Sequence, residues 1–304
     1  MDKYQRILEA AQQAEASLTG KLGFAFYDLQ EGKGCYLHED EVFPTASVYK
    51  VYILAELYRQ AAEGIVDLDA YMSTPTENLT MGSGILSLLS PGLSLRVRDF
   101  AKLMMMLSDN VATDIIFGLV GRENIIENVL KPLGLTKTKA DFDCTTLQDV
   151  YYRVPKGATK AEWVACARSD AFRNAPEYTG QMEMDCCTSP HDMTAMFKLL
   201  YDGKWVSKAV CDEMLSIMRP QPAAARIGTY LPKNVVVARK TGSLDRIVND
   251  AGIVFSPNGA YVLVTFYNGN VASEEEYLSD NKWLLGSEMI AQLSKKIYDI
   301  MQEG

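Results

Sequence analysis

The chain has 304 residues and is acidic, with 39 Asp and Glu against 30 Lys and Arg, a formal net charge of −9. That balance leaves no basic stripe for phosphates, so no nucleic-acid partner is expected. The hydrophobic share of 48% is enough for a buried core. No apolar run approaches the ~20 residues of a membrane span, so no membrane partner is expected either.

In chain order, Ile7, Leu8, Ala11, Ala14 and Leu18 recur at helical spacing and predict a helix over 2–18. Lys21 to Tyr27 reads as a strand, 28–34 as a hairpin turn, and Cys35-Tyr36-Leu37 as the partner strand. Thr45 to Glu63 is helical, with Val51, Leu54, Ala55, Leu57 and Tyr58 inward and Thr45 or Ser47 near its unpaired N-terminal amides. Helices follow over Arg98–Leu107 and Asn110–Leu119, with Ser108-Asp109 at the break. The triplet Met104-Met105-Met106 is core filling. Pro190–Tyr201 and Lys208–Met218 are helices. Three apolar strands come next, Val235–Thr241, Asp250–Phe255 and Tyr261–Tyr267, with a hairpin turn at Pro257-Asn258-Gly259. A last helix spans about Leu284–Met301. The order predicts an α+β fold: one antiparallel sheet built from both chain ends with flanking helices, beside an all-helical lobe.

The cysteines are Cys35, Cys144, Cys166, Cys186, Cys187 and Cys211. They show no C-x-x-C pattern, and only His38 and His191 accompany them, so no metal site is expected. The adjacent Cys186 and Cys187 suit reduced thiols in a cytosolic or anaerobic setting. The opening Met1-Asp2-Lys3-Tyr4-Gln5 lacks an apolar leader. The expected location is therefore cytoplasmic, or periplasmic or secreted if a leader was removed.

Three short motifs carry the chemistry. Ser47-Val48-Tyr49-Lys50 offers a nucleophile and, one helical turn on, an amine that can take its proton if burial or nearby cations lower its pKa. Ser108-Asp109-Asn110 offers a hydroxyl to relay a proton to the leaving group and an amide to hold Lys50 and a substrate amide. Lys240-Thr241-Gly242 ends a strand: Lys240 adds cationic field, Thr241 binds a substrate carboxylate, and Gly242 admits close approach to the backbone. The amides of Ser47 and Ser243 would form the oxyanion hole. Each motif alone also fits a helix cap, an inter-helix cap or an edge strand.

In this order the motifs resemble the class A serine β-lactamases and their penicillin-binding relatives. Further segments agree: Phe43-Pro44-Thr45-Ala46-Ser47, Leu93 to Asp99, Ala225-Arg226-Ile227 with Leu231-Pro232, and Asn249-Asp250-Ala251-Gly252. The resemblance covers roughly 20–140 and 186–300. It implies a single β-lactamase-like unit over 1–304, with a sheet lobe at about 1–45 and 205–304 and a helical lobe at about 46–204 that includes an atypical insert at 141–186. It also implies a serine acyl hydrolase with catalytic Ser47, Lys50, Ser108 and Lys240. Asn110, Thr241, Gly242, Ser243 and either Arg226 or Arg246 would bind a small carboxylate-bearing acyl substrate. No cofactor is implied, and a monomer or weak dimer is expected.

The resemblance breaks at one place. Family members that hydrolyse β-lactams quickly carry an E-x-x-L-N loop whose glutamate activates the deacylating water, and no such pattern is found here. The stretch 134–188 is about twenty-five residues longer than the family's loop. Glu177 is the candidate base, with Asp141, Asp143, Glu162, Glu183 and Asp185 behind it. The insert's aromatics could line an acyl pocket, form a lid or pack a satellite core. β-Lactamase activity leads, with esterase, amidase or acyltransferase activity as the alternative. A penicillin-binding sensor or transpeptidase that does not turn over is the other.

Overall fold

The apolar strands at the two ends of the chain find each other. A computed structural model describes residues 2–76, 80–155, 157–169, 185–220, 226–244, 246–269 and 282–303. Its contacts divide into two units, one of residues 1–48, 136–138 and 187–304, the other of 49–135 and 139–186.

In the first unit β1 (Lys21–Asp28), β2 (Lys33–Leu37), β7 (Val236–Ser243), β8 (Ile247–Ser256) and β9 (Gly259–Asn268) form one antiparallel sheet, in the order β2-β1-β9-β8-β7. Phe24 of β1 stands opposite Thr265 of β9, and Gly242 of β7 opposite Asn249 of β8. All ten positions of β9 are buried. A central strand covered on both faces has no polar face to alternate with, which is why its sequence is a continuous apolar run. The helices α1 (Lys3–Ala16) and α10 (Lys282–Gln302) supply one cover, where Ile7, Ala11, Phe24, Leu263 and Ile297 share a core. The helices α8 (Pro190–Tyr201) and α9 (Lys208–Met218) also belong to this unit, so they cluster with the sheet rather than with the helical lobe to which α8 was assigned from sequence. The pair β3 (Phe43–Pro44) and β6 (Cys187–Thr188) is a short antiparallel ladder of the same unit.

The second unit is built on α2 (Lys50–Ala62), α3 (Val97–Met106) and α4 (Asn110–Val120). Ten of the thirteen α2 residues are buried, among them Lys50, Glu56 and Gln60. A strand pair, β4 (Tyr71–Ser73) with β5 (Ser94–Arg96), precedes α3. A short helix α5 (Arg122–Ile125) runs on into a π-helical turn over Ile126–Leu130. The insert contributes α6 (Cys144–Tyr151) and α7 (Lys160–Arg168), neither of which the sequence reading predicts. Neither Thr45 nor Ser47 caps α2. A 3₁₀ turn over Ala46–Tyr49 runs into that helix, and no side chain caps it.

Candidate active site

Each unit carries its own part of the predicted constellation. In the first unit, Ala46 holds a left-handed backbone at φ 45° immediately before Ser47. Such conformations cost a non-glycine residue of order 1–3 kcal/mol and persist where surroundings enforce them. From Phe43 to Lys50 every residue is buried except Ser47, which is partly open to solvent. A nucleophile needs that combination of a fixed backbone and a reachable hydroxyl.

Strand β7 is pressed against this segment. A Cβ on Gly242 would lie 2.3 Å from the Thr45 carbonyl oxygen and 3.1 Å from the Ser47 nitrogen, so only glycine lets the two backbones approach this closely. Asn249 reinforces the contact by donating its Nδ2 to the Pro44 oxygen at 2.7 Å. Lys240 is fully buried and donates Nζ to the Thr241 carbonyl at 2.7 Å.

Arg226 plays another part than the one expected of it. It too has a left-handed backbone, at φ 65°. Its buried guanidinium donates to the Gly242 carbonyl at 2.9 Å, to the Asn249 carbonyl and to Ser243 Oγ. Burial pushes it down to about 10, against the opposing field of Asp250. Arg226 therefore locks the end of β7 to β8, and its donors are spent on protein rather than offered to a substrate carboxylate. Arg246 is also buried, 6% exposed, and its carbonyl accepts from Gly269 N at 2.8 Å.

In the second unit, Lys50 opens α2 with its side chain wholly buried. Nζ donates to the Ser108 carbonyl at 2.8 Å, to Ser108 Oγ at 3.3 Å and to Asn110 Oδ1 at 2.9 Å. Burial lowers its pKa, while Cys144, Asp114 and Asp109 pull the other way. No carboxylate hydrogen-bonds Lys50 among the described residues. Ser108 sits at φ 56°, a third left-handed residue, which turns its carbonyl toward the amine. Asp109 fixes that turn: it caps α4 through Ala112 N at 3.0 Å and accepts Ile85 N and Leu86 N at 2.7 and 2.9 Å.

One functional neighbour escaped the sequence reading. Cys144 is the first residue of α6; its thiol lies 3.3 Å from Tyr49 Oη and acts electrostatically on the Lys50 amine. Burial pushes the thiol pKa up, so it stays neutral. Asp114 of α4 holds this start of α6, accepting Cys144 N at 2.6 Å and Thr145 Oγ1 at 2.7 Å. The signal was present: Cys144-Thr145-Thr146-Leu147-Gln148 has the spacing of E-x-x-L-N, with a thiol for the carboxylate and Gln for Asn. The proposed carboxylate bases stand elsewhere. Asp141 pairs with Arg122 at 3.1 Å, Asp143 caps α6, and Glu162 closes a capping box with Thr159. Asp185 is buried and pushed up to about 7 by desolvation. Glu177 and Glu183 lie outside the described residues. Among the described residues no cluster of three His, Cys, Asp or Glu could hold a metal ion, and no helix is long and apolar enough to cross a membrane.

Sheet, helices and motif residues together define a serine hydrolase of the β-lactamase type. The profile of a "Beta-lactamase enzyme family" matches residues 4–301, and the chain belongs to that family. Beta-lactamase VEB-1 of Pseudomonas aeruginosa is 22% identical over 292 residues, 91% of this chain and 85% of that protein. Among solved structures, a β-lactamase from Sphaerobacter thermophilus superposes with a TM-score of 0.78 at 23% identity, over 100% of this chain and 99% of that one. A PBP-A mutant, solved as an acyl-enzyme complex with penicillin-G, gives 0.75 at 22% identity, over 99% and 97%.

Proposed function

We propose that this hydrolase acylates itself on Ser47 with β-lactam-type amides and releases the acyl group slowly. Ser47 Oγ attacks the carbonyl carbon and its proton passes to the Lys50 amine. The amide C–N bond breaks, and the leaving nitrogen takes a proton through Ser108 Oγ. Water then hydrolyses the ester, freeing Ser47 and the acid. Thr241 and Ser243 would receive a substrate carboxylate in the field of Lys240, and the amides of Ser47 and Ser243 the oxyanion.

The observation that carries this reading is the environment of Lys50. A buried amine bonded to a carbonyl, a hydroxyl and an amide oxygen, with its pKa lowered by burial, gives up its proton more readily than an ordinary lysine and so can serve as a base. The neutral Cys144 thiol beside it supports slow release, because a protonated thiol does not activate water. It also favours the second reading, a penicillin-binding protein that acylates and stops.

Intact-protein mass spectrometry over time with a chromogenic cephalosporin separates the outcomes. The expected result is an adduct that forms within minutes and decays over a much longer time, with colour released in step, and neither in Ser47→Ala. A permanent adduct selects the second reading. No adduct and no colour overturns both.

A further inference from the structure

The second unit holds a cavity of about 490 Å³ whose occupant nothing above assigns. Met81, Leu89 and Pro91 make one wall, and Gln148, Asp149 and Trp163 of the α6–α7 insert make the other. That volume suits a group of amino-acid or small-drug size.

The lining mixes apolar side chains with the hydroxyls of Thr80, Ser87 and Thr145, the Gln148 amide and the Asp149 carboxylate. Gln148 spends its Nε2 on the Met81 carbonyl at 2.8 Å, and its Oε1 is buried with no partner. Asp149 accepts Trp163 Nε1 at 3.1 Å on Oδ1, and the described residues give its Oδ2 no partner. Thr80 and Thr145 donate their hydroxyl protons to Asp114, at 2.6 and 2.7 Å. The charge in the lining is that of the Asp149 carboxylate, beside the Trp163 indole. Burial and the like charge of Asp143 work against the Asp149 carboxylate, which has no cation to relieve it among the described residues.

The cavity is one carbonyl removed from the acylation machinery. Asn110 donates Nδ2 to the same Met81 oxygen, at 2.9 Å, while its Oδ1 accepts Lys50. A Cβ on the intervening Gly82 would meet both amides, 2.7 Å from Gln148 Nε2 and 2.9 Å from Asn110 Nδ2. The cavity wall and the amide of the S-D-N motif thus share the Met81 carbonyl.

The geometry points to this cavity as a subsite for an amine-bearing side chain: an acyl donor with an apolar stem and an ammonium that meets the Asp149 carboxylate. The inference rests on the acyl-serine reading for the subsite's role, but the cavity's preference for a cation is testable without it. The bond of an ammonium to a half-buried carboxylate is stronger than that of a neutral donor.

Binding of 2-phenylethylamine and of its matched alcohol, 2-phenylethanol, is measured by ligand-detected NMR on the full chain and on Asp149→Asn. The substitution keeps the oxygen that accepts Trp163 Nε1 and removes only the charge. The amine is expected to bind roughly tenfold more tightly than the alcohol, with the difference lost in Asp149→Asn. In parallel, the rate of Ser47 acylation is compared for two penicillins that differ only by an α-amino group on the side chain, with the same ratio expected. Equal binding of amine and alcohol, or a preference that survives Asp149→Asn, overturns the subsite. Amine binding with no acylation by either penicillin leaves the subsite standing and overturns the acyl-serine reading instead.

Discussion

In the proposed mechanism Lys50 is the buried base, and its protonation decides the rate. Its neutral form is the active one. Because burial lowers its pKa from the ordinary 10.5, acylation should rise with pH along a limb below that value and level off above the folded pKa. Cys144→Glu sets a carboxylate against Nζ, holds the proton on Lys50 and moves the limb to higher pH. It also supplies a base for water, so the adduct's lifetime should fall by on the order of 10² or more. Cys144→Ser, a neutral replacement, should leave both nearly unchanged. Acylation rates and adduct decay between pH 5 and 10 check this, and a limb unmoved by Cys144→Glu would sink it. The meeting of Lys50 with Ser108 and Asn110 was legible because each motif's spacing is a local property of the sequence. Cys144 was not, because a thiol is not read as the counterpart of an acid and its contact with Lys50 spans 94 positions of chain. Arg226 was misjudged for a similar reason: its composition suits a carboxylate, but burial and three protein oxygens had already claimed it.

At the scale of elements, the chain reads well where one segment carries its own pattern. β8 from Ala251 to Phe255 and β9 from Ala260 to Val264 are apolar runs around a Pro257-Asn258-Gly259 turn, and α8 and α9 match their predicted bounds. The insert does not read this way. α6 has eight residues, too few for a clear helical stripe, and its start depends on Asp114, a tertiary partner some thirty residues away. β7 shows the other kind of dependence, since its glycine answers to a segment near residue 45 rather than to its own strand. Gly242→Ala should therefore cost about 1–3 kcal/mol by forcing β7 off the Ser47 segment. It should also abolish acylation. Gly118 is the contrast: it lies exposed within α4, with nothing within 4 Å of the added Cβ. Gly118→Ala should stabilise by about 0.5–1 kcal/mol and leave acylation intact. Urea denaturation and acylation of both variants check the pair.

For the whole molecule, the chain's path matters more than any one contact. Residues 1–48 and 187–304 make most of the first unit, so its sheet and its covering helices α1 and α10 unite sequence termini that are nearly 300 residues apart. The second unit is threaded between them, and the backbone passes from one unit to the other four times, after residues 48, 135, 138 and 186. Neither unit is one continuous piece of chain, and separate unfolding would have to occur across four covalent crossings. A single cooperative transition is expected. Ile297, fully buried in the core shared by α1, α10 and the sheet, is the test position. Ile297→Ala should cost about 2–5 kcal/mol. In a cooperative molecule that loss appears equally in both units. Hydrogen exchange followed by mass spectrometry should then show peptides from β1 and from α2 losing protection by the same free energy, under conditions where global opening dominates. If protection falls only in β1 while α2 keeps its wild-type value, the units open independently. The Lys50 environment would then outlast the sheet that carries Lys240.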